Sequence, residues 1–206
     1  MKTLLEIRSS IYSDNGQSSR LADRFIARWR AANAGGKVIV RDLAQEPVPH
    51  IDADRFGAFL AKPEIRTLEQ QAIVAYSDAL IAELRAADAV VLAVPMYNFG
   101  IPSTLKAYFD HVARAGVTFR YTENGSAGLL TGKRAYVFAT RGGLYAGTPR
   151  DSQTPYLRSF LAFIGIDDVQ FVYAEGLAIS AASRERALSR THADIDELLE
   201  PELAAA

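Results

Sequence analysis

A chain of 206 residues, 49% of them hydrophobic, is long enough for one substantial core, and 23 Lys plus Arg against 24 Asp plus Glu leave a formal charge of −1. That balance gives no footing for nucleic acid or an anionic membrane surface. With no cysteine, disulfides, thiolate metal sites, iron–sulfur ligation and a thiol nucleophile are all excluded, so any redox chemistry has to be carried by a bound cofactor.

The elements follow one another in a strict alternation. Lys2 to Ile7 reads as a first strand, too short and too interrupted by Glu6 and Arg8 for a signal segment, and nothing approaches the roughly 18 apolar residues of a membrane span. A cytoplasmic protein is expected. An amphipathic helix from about Arg20 to Ala34 carries Leu21, Phe25, Ile26 and Trp29 on one face, and Gly35-Gly36 ends it. Val38 to Val40 is a second strand, followed by a Pro-containing excursion from Asp42 to about Pro63 with Phe56, Phe59 and Leu60 on a short helix. Thr67 and Gln70 form a capping-box pattern for a helix to about Ala86, with Ile73, Tyr76, Leu80, Ile81 and Leu84 as its buried stripe.

Ala89 to Val94 is an unbroken apolar strand, and a helix from Ser103 to about Ala115 then buries Leu105, Tyr108, Phe109 and Val112. Arg134 to Ala139 is a fourth strand. Thr154 caps the next helix with Pro155 at its first position, and Gly165 closes it. Val169 to Tyr173 and a helix from Ser183 to Leu199 complete the chain. Five strands alternating with helices predict a single α/β domain over residues 1–206, a five-stranded parallel sheet with helices on both faces. Ligands of such sheets bind outside the carboxyl ends of the strands, which makes the strand exits the loops to compare.

The first strand exits through Arg8-Ser9-Ser10 and reaches its helix through Gly16-Gln17-Ser18-Ser19. Backbone N–H groups at that helix start, with hydroxyls from Ser10 and Ser18, suit a phosphate; an ordinary cluster of capping residues fits the loop equally well. Neither the Walker pattern nor Gly-x-Gly-x-x-Gly is present. The third strand exits into Pro95-Met96-Tyr97-Asn98-Phe99, and the fourth into Thr140-Arg141-Gly142-Gly143. An apolar floor on one side and glycines that admit a ring edge on the other suit a flat heterocycle.

Together with Phe119-Arg120-Tyr121-Thr122-Glu123-Asn124-Gly125, these motifs resemble the flavin-dependent NADH azoreductases, and the resemblance spans nearly the whole chain. It implies a flavodoxin-like fold, non-covalent FMN, NADH as donor, a homodimer, and quinones as well as azo compounds as acceptors. It also implies that Ser10, Gly16, Gln17 and Ser18 hold the phosphate. Met96, Tyr97, Asn98 and Phe99 would then lie along the flavin ring, with Thr140, Arg141, Gly142 and Gly143 at its edge. Gly16 and Thr140 stand where the family often has Ser, so the first position loses a donor and the second keeps its hydroxyl.

No side-chain nucleophile is required, because the flavin carries the electrons. Without a dinucleotide turn, the nicotinamide is expected to stack on the open flavin face, leave, and be replaced by the acceptor. Phe119 and Tyr121 are substrate-face residues on one reading and packing residues on the other. Arg141 either offsets charge on the reduced ring or is solvated. His111, beside the buried stripe of its helix, reads as structural, and His50 and His192 show no metal spacing. The rival reading is a flavodoxin-type electron carrier, against which the balanced charge stands.

Overall fold

The computed structural model describes residues 1–198. Its main sheet contains β1 (Thr3–Arg8), β2 (Lys37–Asp42), β3 (Ala89–Pro95), β6 (Arg134–Thr140) and β7 (Asp168–Ala174), all parallel, in the order β2-β1-β3-β6-β7. A separate antiparallel pair, β4 (Phe119–Thr122) and β5 (Gly125–Gly128), lies between β3 and β6 in sequence. The strand order reverses between β1 and β3, which places the switch point of the sheet at the exits of those two strands.

Alternation along each strand sorts the core into two layers. Leu5, Ile7, Leu92, Val94 and Val137 face α3 (Leu68–Ala86), α4 (Ser103–Val112) and α5 (Gln153–Ile164). Leu4, Val91, Ala93, Phe138 and Val172 face α1 (Gln17–Ala32) and α6 (Ala181–Leu198). Central strands covered on both sides read as continuous apolar runs, which is why β3 and β6 stand out in the sequence. β2 and β7 form the edges of the sheet. The last residue of the helix expected to end at Leu199 lies outside the described residues.

Thr67 and Gln70 form the capping box reciprocally, at 3.1 and 3.2 Å. The buried face of α3 nevertheless differs from the expected stripe: Val74 and Ser77 replace Ile73 and Tyr76, and Tyr76 is 39% exposed. Ser77 holds the interior position because its hydroxyl donates to the carbonyl of His111, 2.7 Å away on α4. Hydrophobic periodicity cannot count a serine. At α5 the expected cap is also displaced, since the helix begins at Gln153 and Pro155 is its third residue. Asp151 supplies the capping oxygen, 3.0 Å from the Thr154 N–H, and Pro155 remains in the first turn, where a missing N–H costs nothing. The remaining helix, α2 (Ala53–Leu60), is capped by Asp52.

The β4–β5 hairpin docks on the carboxyl end of α5. Leu130 donates to Ile164 at 2.9 Å, and a Cβ on Gly128 would lie 2.0 Å from the backbone N of Gly165. This is the amino end of the sheet, opposite the strand exits.

His111 is buried on α4, between the ring edges of Tyr76 and Phe59 at 5.5 and 5.9 Å. Its Nε2 lies 3.0 Å from the Pro49 carbonyl and therefore carries the proton, while Nδ1 has no partner among the described residues. Burial pushes the imidazole pKa below its ordinary 6.5, in spite of the carbonyl. An unfolded chain takes up this proton near 6.5 and the folded one only at lower pH, so this group leaves stability unchanged above 6.5 and reduces it as pH falls below. Urea unfolding between pH 7 and pH 5 should show this loss in the native protein and a shallower one in His111→Phe. Equal slopes would remove His111 as its source.

Candidate active site

Three strand exits converge at the carboxyl end of the sheet. After β1, Ser9 is tied to the Ala93 carbonyl on β3 through its N–H at 3.2 Å and its hydroxyl at 2.8 Å. The chain then makes a short turn over Ser13–Asn15 and enters α1 at Gln17, three residues earlier than the sequence suggests. Gln17, Ser18 and Ser19 therefore form the first helical turn, whose N–H groups have no intrahelical acceptor. The Ser18 hydroxyl is fully buried and finds no partner among the described residues. A Cβ on Gly16 would lie 2.3 Å from Ser10 Oγ and 2.5 Å from Ser10 Cβ, so Ser10 occupies the space a serine at position 16 would use.

The β3 exit is held against both neighbours. Met96 N–H donates to the Thr140 carbonyl at 2.8 Å, and Tyr97 Oη accepts from Ile11 N–H at 3.3 Å and lies 3.4 Å from Ser10 Oγ. Tyr97 and Gly100 exchange backbone bonds at 3.0 and 2.9 Å around Asn98 and Phe99, whose φ angles are 48° and 66°. This is the pattern of a type I′ turn, which usually carries glycine at its second central position. A left-handed phenylalanine costs about 1–2 kcal/mol. Ser152 Oγ secures it by donating to the Phe99 carbonyl, and the Tyr145 ring and Arg150 guanidinium lie 5.6 and 5.1 Å from the Phe99 ring.

At the β6 exit the carbonyls of Arg141, Gly142 and Gly143 accept from Leu177, Ala178 and Gly176 at 3.1, 3.0 and 2.8 Å. The N–H groups of Gly142 and Gly143 are left without a protein acceptor among the described residues. The three exits enclose a cleft of 390 Å³ bordered by Ser10, Gly16, Gln17, Met96, Tyr97, Thr140, Arg141 and Gly142. Ser18, Asn98, Phe99 and Gly143 lie on the same loops without bordering it. A larger opening of 500 Å³ lies at the amino ends of the strands, where Lys133 binds the Arg85 and Ala87 carbonyls and Arg134 pairs with Asp168.

The flavodoxin-like fold family matches residues 1–199. The chain is 55% identical over 197 residues to an FMN-dependent NADH:quinone oxidoreductase of Cellvibrio japonicus, covering 96% of this chain and 98% of that protein. It belongs to this family of oxidoreductases. An FMN-dependent NADH:quinone oxidoreductase 6 of Burkholderia lata is 56% identical over 189 residues, covering 92% and 96% of the two chains. Among solved structures, an FMN-dependent NADH-azoreductase from Bacillus anthracis, in complex with FMN, superposes with a TM-score of 0.85 at 27% identity, covering 96% of this chain and 99% of that one.

In this oxidoreductase the Arg141 side chain is neither solvated nor turned to a ligand. It is fully buried, paired with Asp151 at 2.9 Å and Glu175 at 3.1 Å, hydrogen-bonded to Thr154 and Gln153, and stacked over Tyr173 at 4.9 Å. Gln153 in turn donates to the Pro95 carbonyl at 3.1 Å, so the guanidinium braces the β6 and β3 exits from behind. Burial pushes the Asp151 carboxyl up, but bonds from Thr154 and Arg141 outweigh it and hold the group below its ordinary range. Phe119 does not face the cleft either: it is buried against Phe163, ring centroids 4.2 Å apart, while Tyr121 on the same strand is 77% exposed. The cleft also draws on Tyr12, Asn15, Leu177 and Arg184. The last two come from the β7 exit and α6, a fourth strand end that the motifs leave out and that asking where each strand empties would have found.

Proposed function

We propose that the cleft holds FMN non-covalently and that the chain passes two electrons from NADH to quinones and, in two rounds, to aromatic azo compounds. The start of α1 carries this reading: its first-turn N–H groups have no intrahelical acceptor and open on the cleft beside Ser10, Gly16 and Gln17, with the buried, unpartnered Ser18 hydroxyl directly behind them. A buried hydroxyl without a partner costs about 1–3 kcal/mol, and a phosphate monoester at this helix terminus would satisfy it together with the free N–H groups. Bound FMN supplies the two-electron chemistry.

The residues do the holding. Ser10, Gln17 and Ser18 take the phosphate, and the glycine at position 16 leaves Ser10 room to turn its hydroxyl inward. Met96 and Tyr97 back the ring, and the free N–H groups of Gly142 and Gly143 are available to its polar edge. Thr140, 6% exposed, adds a hydroxyl at the same edge. The chain has no turn of its own for a dinucleotide, so NADH and acceptor occupy the open side of the cleft in turn, which gives ping-pong kinetics. Purified protein should be yellow, bleach anaerobically with NADH and regain colour with a small quinone. Protein that retains FMN but fails to oxidise NADH would be an electron carrier.

The functional unit is a homodimer. Phe56, Leu60, Ile65 and Leu68 are 56%, 68%, 73% and 85% exposed over one short stretch, more apolar surface than a lone polar excursion carries. Tyr121 stands at the far end of the sheet from its own cleft, so any cover it gives a substrate is given on the partner copy. Sedimentation as a monomer at micromolar concentration would refute the dimer.

A further inference from the structure

The phosphate cradle assigned above contains hydroxyls and N–H groups but no cation of its own, and Gly16 contributes no side chain. The missing charge stands across the cleft. α1 and α6 each begin at a strand exit and run side by side, joined by Arg24 to Asp196 at 2.8 Å, so their amino ends open on the same space. Ser180 caps the first turn of α6, its hydroxyl accepting from Ser183 N–H at 3.1 Å. Arg184 follows directly and borders the cleft together with Asn15, Gly16 and Gln17.

An arginine in this position is unfavourable in the protein alone. It lies in the first turn of a helix, where the dipole favours anions, and that turn carries no acidic residue. Most neighbouring cations are already engaged: Arg8 by Glu6 and Asp23, Arg24 and Arg28 by Asp196, Arg141 by Asp151 and Glu175, while Arg20, exposed on α1, is held to the Asn15 side-chain oxygen at 3.5 Å. The Arg184 side chain makes no hydrogen bond or ion pair with any described residue. A phosphate monoester, which carries nearly two negative charges at neutral pH, resolves both conflicts at once, and a guanidinium can grip it with two parallel bonds.

We propose that Arg184 is the cation of the phosphate cradle, closing over the FMN phosphate from α6 and replacing the donor that Gly16 lacks. The assignment rests on the FMN reading and adds to it a residue from the fourth strand exit. The alternative source of the same chemistry is the pyrophosphate of the donor dinucleotide, and riboflavin, which has the ring without the phosphate, separates the two.

The test is fluorescence titration of the full chain with FMN and with riboflavin, at low and high salt, for the native protein, Arg184→Ala and Arg184→Lys. Arg184→Ala should weaken FMN on the order of tenfold, a charge-assisted contact discounted for exposure, and leave riboflavin within about twofold. Arg184→Lys should recover part of the loss, and FMN binding should depend less on salt in Arg184→Ala than in the native protein. Unchanged FMN affinity, or an equal loss for both flavins, would overturn the assignment. So would a raised KM for NADH with both flavin affinities intact, which would place the guanidinium on the donor. A native chain that binds neither flavin would overturn the FMN reading itself and this proposal with it.

Discussion

Arg141→Met is expected to destabilise the protein by about 3–5 kcal/mol, because it removes one partner of a buried pair and leaves Asp151 and Glu175 without their cation. For a chain of this size that is a fall of roughly 10 °C in melting temperature. The methionine fills much of the volume, so the loss reports charge and hydrogen bonding more than cavity. The variant should also release FMN more readily, since the path from Arg141 through Gln153 to the Pro95 carbonyl disappears and the two ring-edge loops lose their common brace. Arg141 is thus a positioning residue. In the native protein Asp151 contributes stability that is present above its ordinary 3.8 and is lost as pH falls through its lowered value; without Arg141 that window moves upward. Urea unfolding between pH 3 and pH 7, with flavin release on dilution, measures both effects. A loss of less than about 1 kcal/mol would show that the two carboxylates do not depend on the guanidinium.

Gly128→Ala should cost about 3 kcal/mol or more through a different mechanism. The added methyl would stand 2.0 Å from Gly165 N and 2.3 Å from both Gly165 Cα and the Ile164 carbonyl carbon, and backbone atoms cannot swing aside as a side-chain tip can. Gly165 is held in the left-handed region, at φ 101°, as the residue that caps the end of α5, so neither side of the contact can yield cheaply. The hairpin has to lift away, exposing Phe119. Gly57→Ala is the matched control: it lies inside α2 with nothing within 4 Å of the new methyl, and should stabilise by about 0.5–1 kcal/mol. Comparison of the melting curves decides the matter, and equal shifts would discard the steric account. Because the hairpin is at the opposite end of the sheet from the cleft, Gly128→Ala should retain FMN in whatever fraction remains folded, unlike Arg141→Met.

The strands of the main sheet were legible because strands covered on both faces need long apolar runs, and the three principal exits followed from where those runs stop. What escaped detection depended on partners distant in sequence. Asp151 caps α5 while held by an arginine ten residues earlier, so Thr154 looked like the better cap. Ser77 lies in the interior because of one carbonyl on another helix. The β4–β5 hairpin is two four-residue strands rich in glycine and polar side chains, with no periodicity long enough to register. Arg141 sits next to two glycines and reads equally as a ligand contact or a solvated side chain until Asp151, Glu175 and Tyr173 are found around it. Arg184 is one of several arginines on a polar helix, and only its place at the mouth of the cleft distinguishes it.

The two borders of the main sheet also bear on how this protein behaves when crowded. On β2, Arg41 is clamped by Glu46 and Glu83 and Lys37 stands exposed, while on β7 the carbonyls of Val169 and Tyr173 are taken by Arg158 and Thr191. A foreign strand arriving at β7 would have to displace bound side chains before it could pair, and at β2 it would meet charged residues of the kind that discourages edge pairing. Growth of the sheet from copy to copy, the first step toward fibrous aggregates, is therefore disfavoured at both borders.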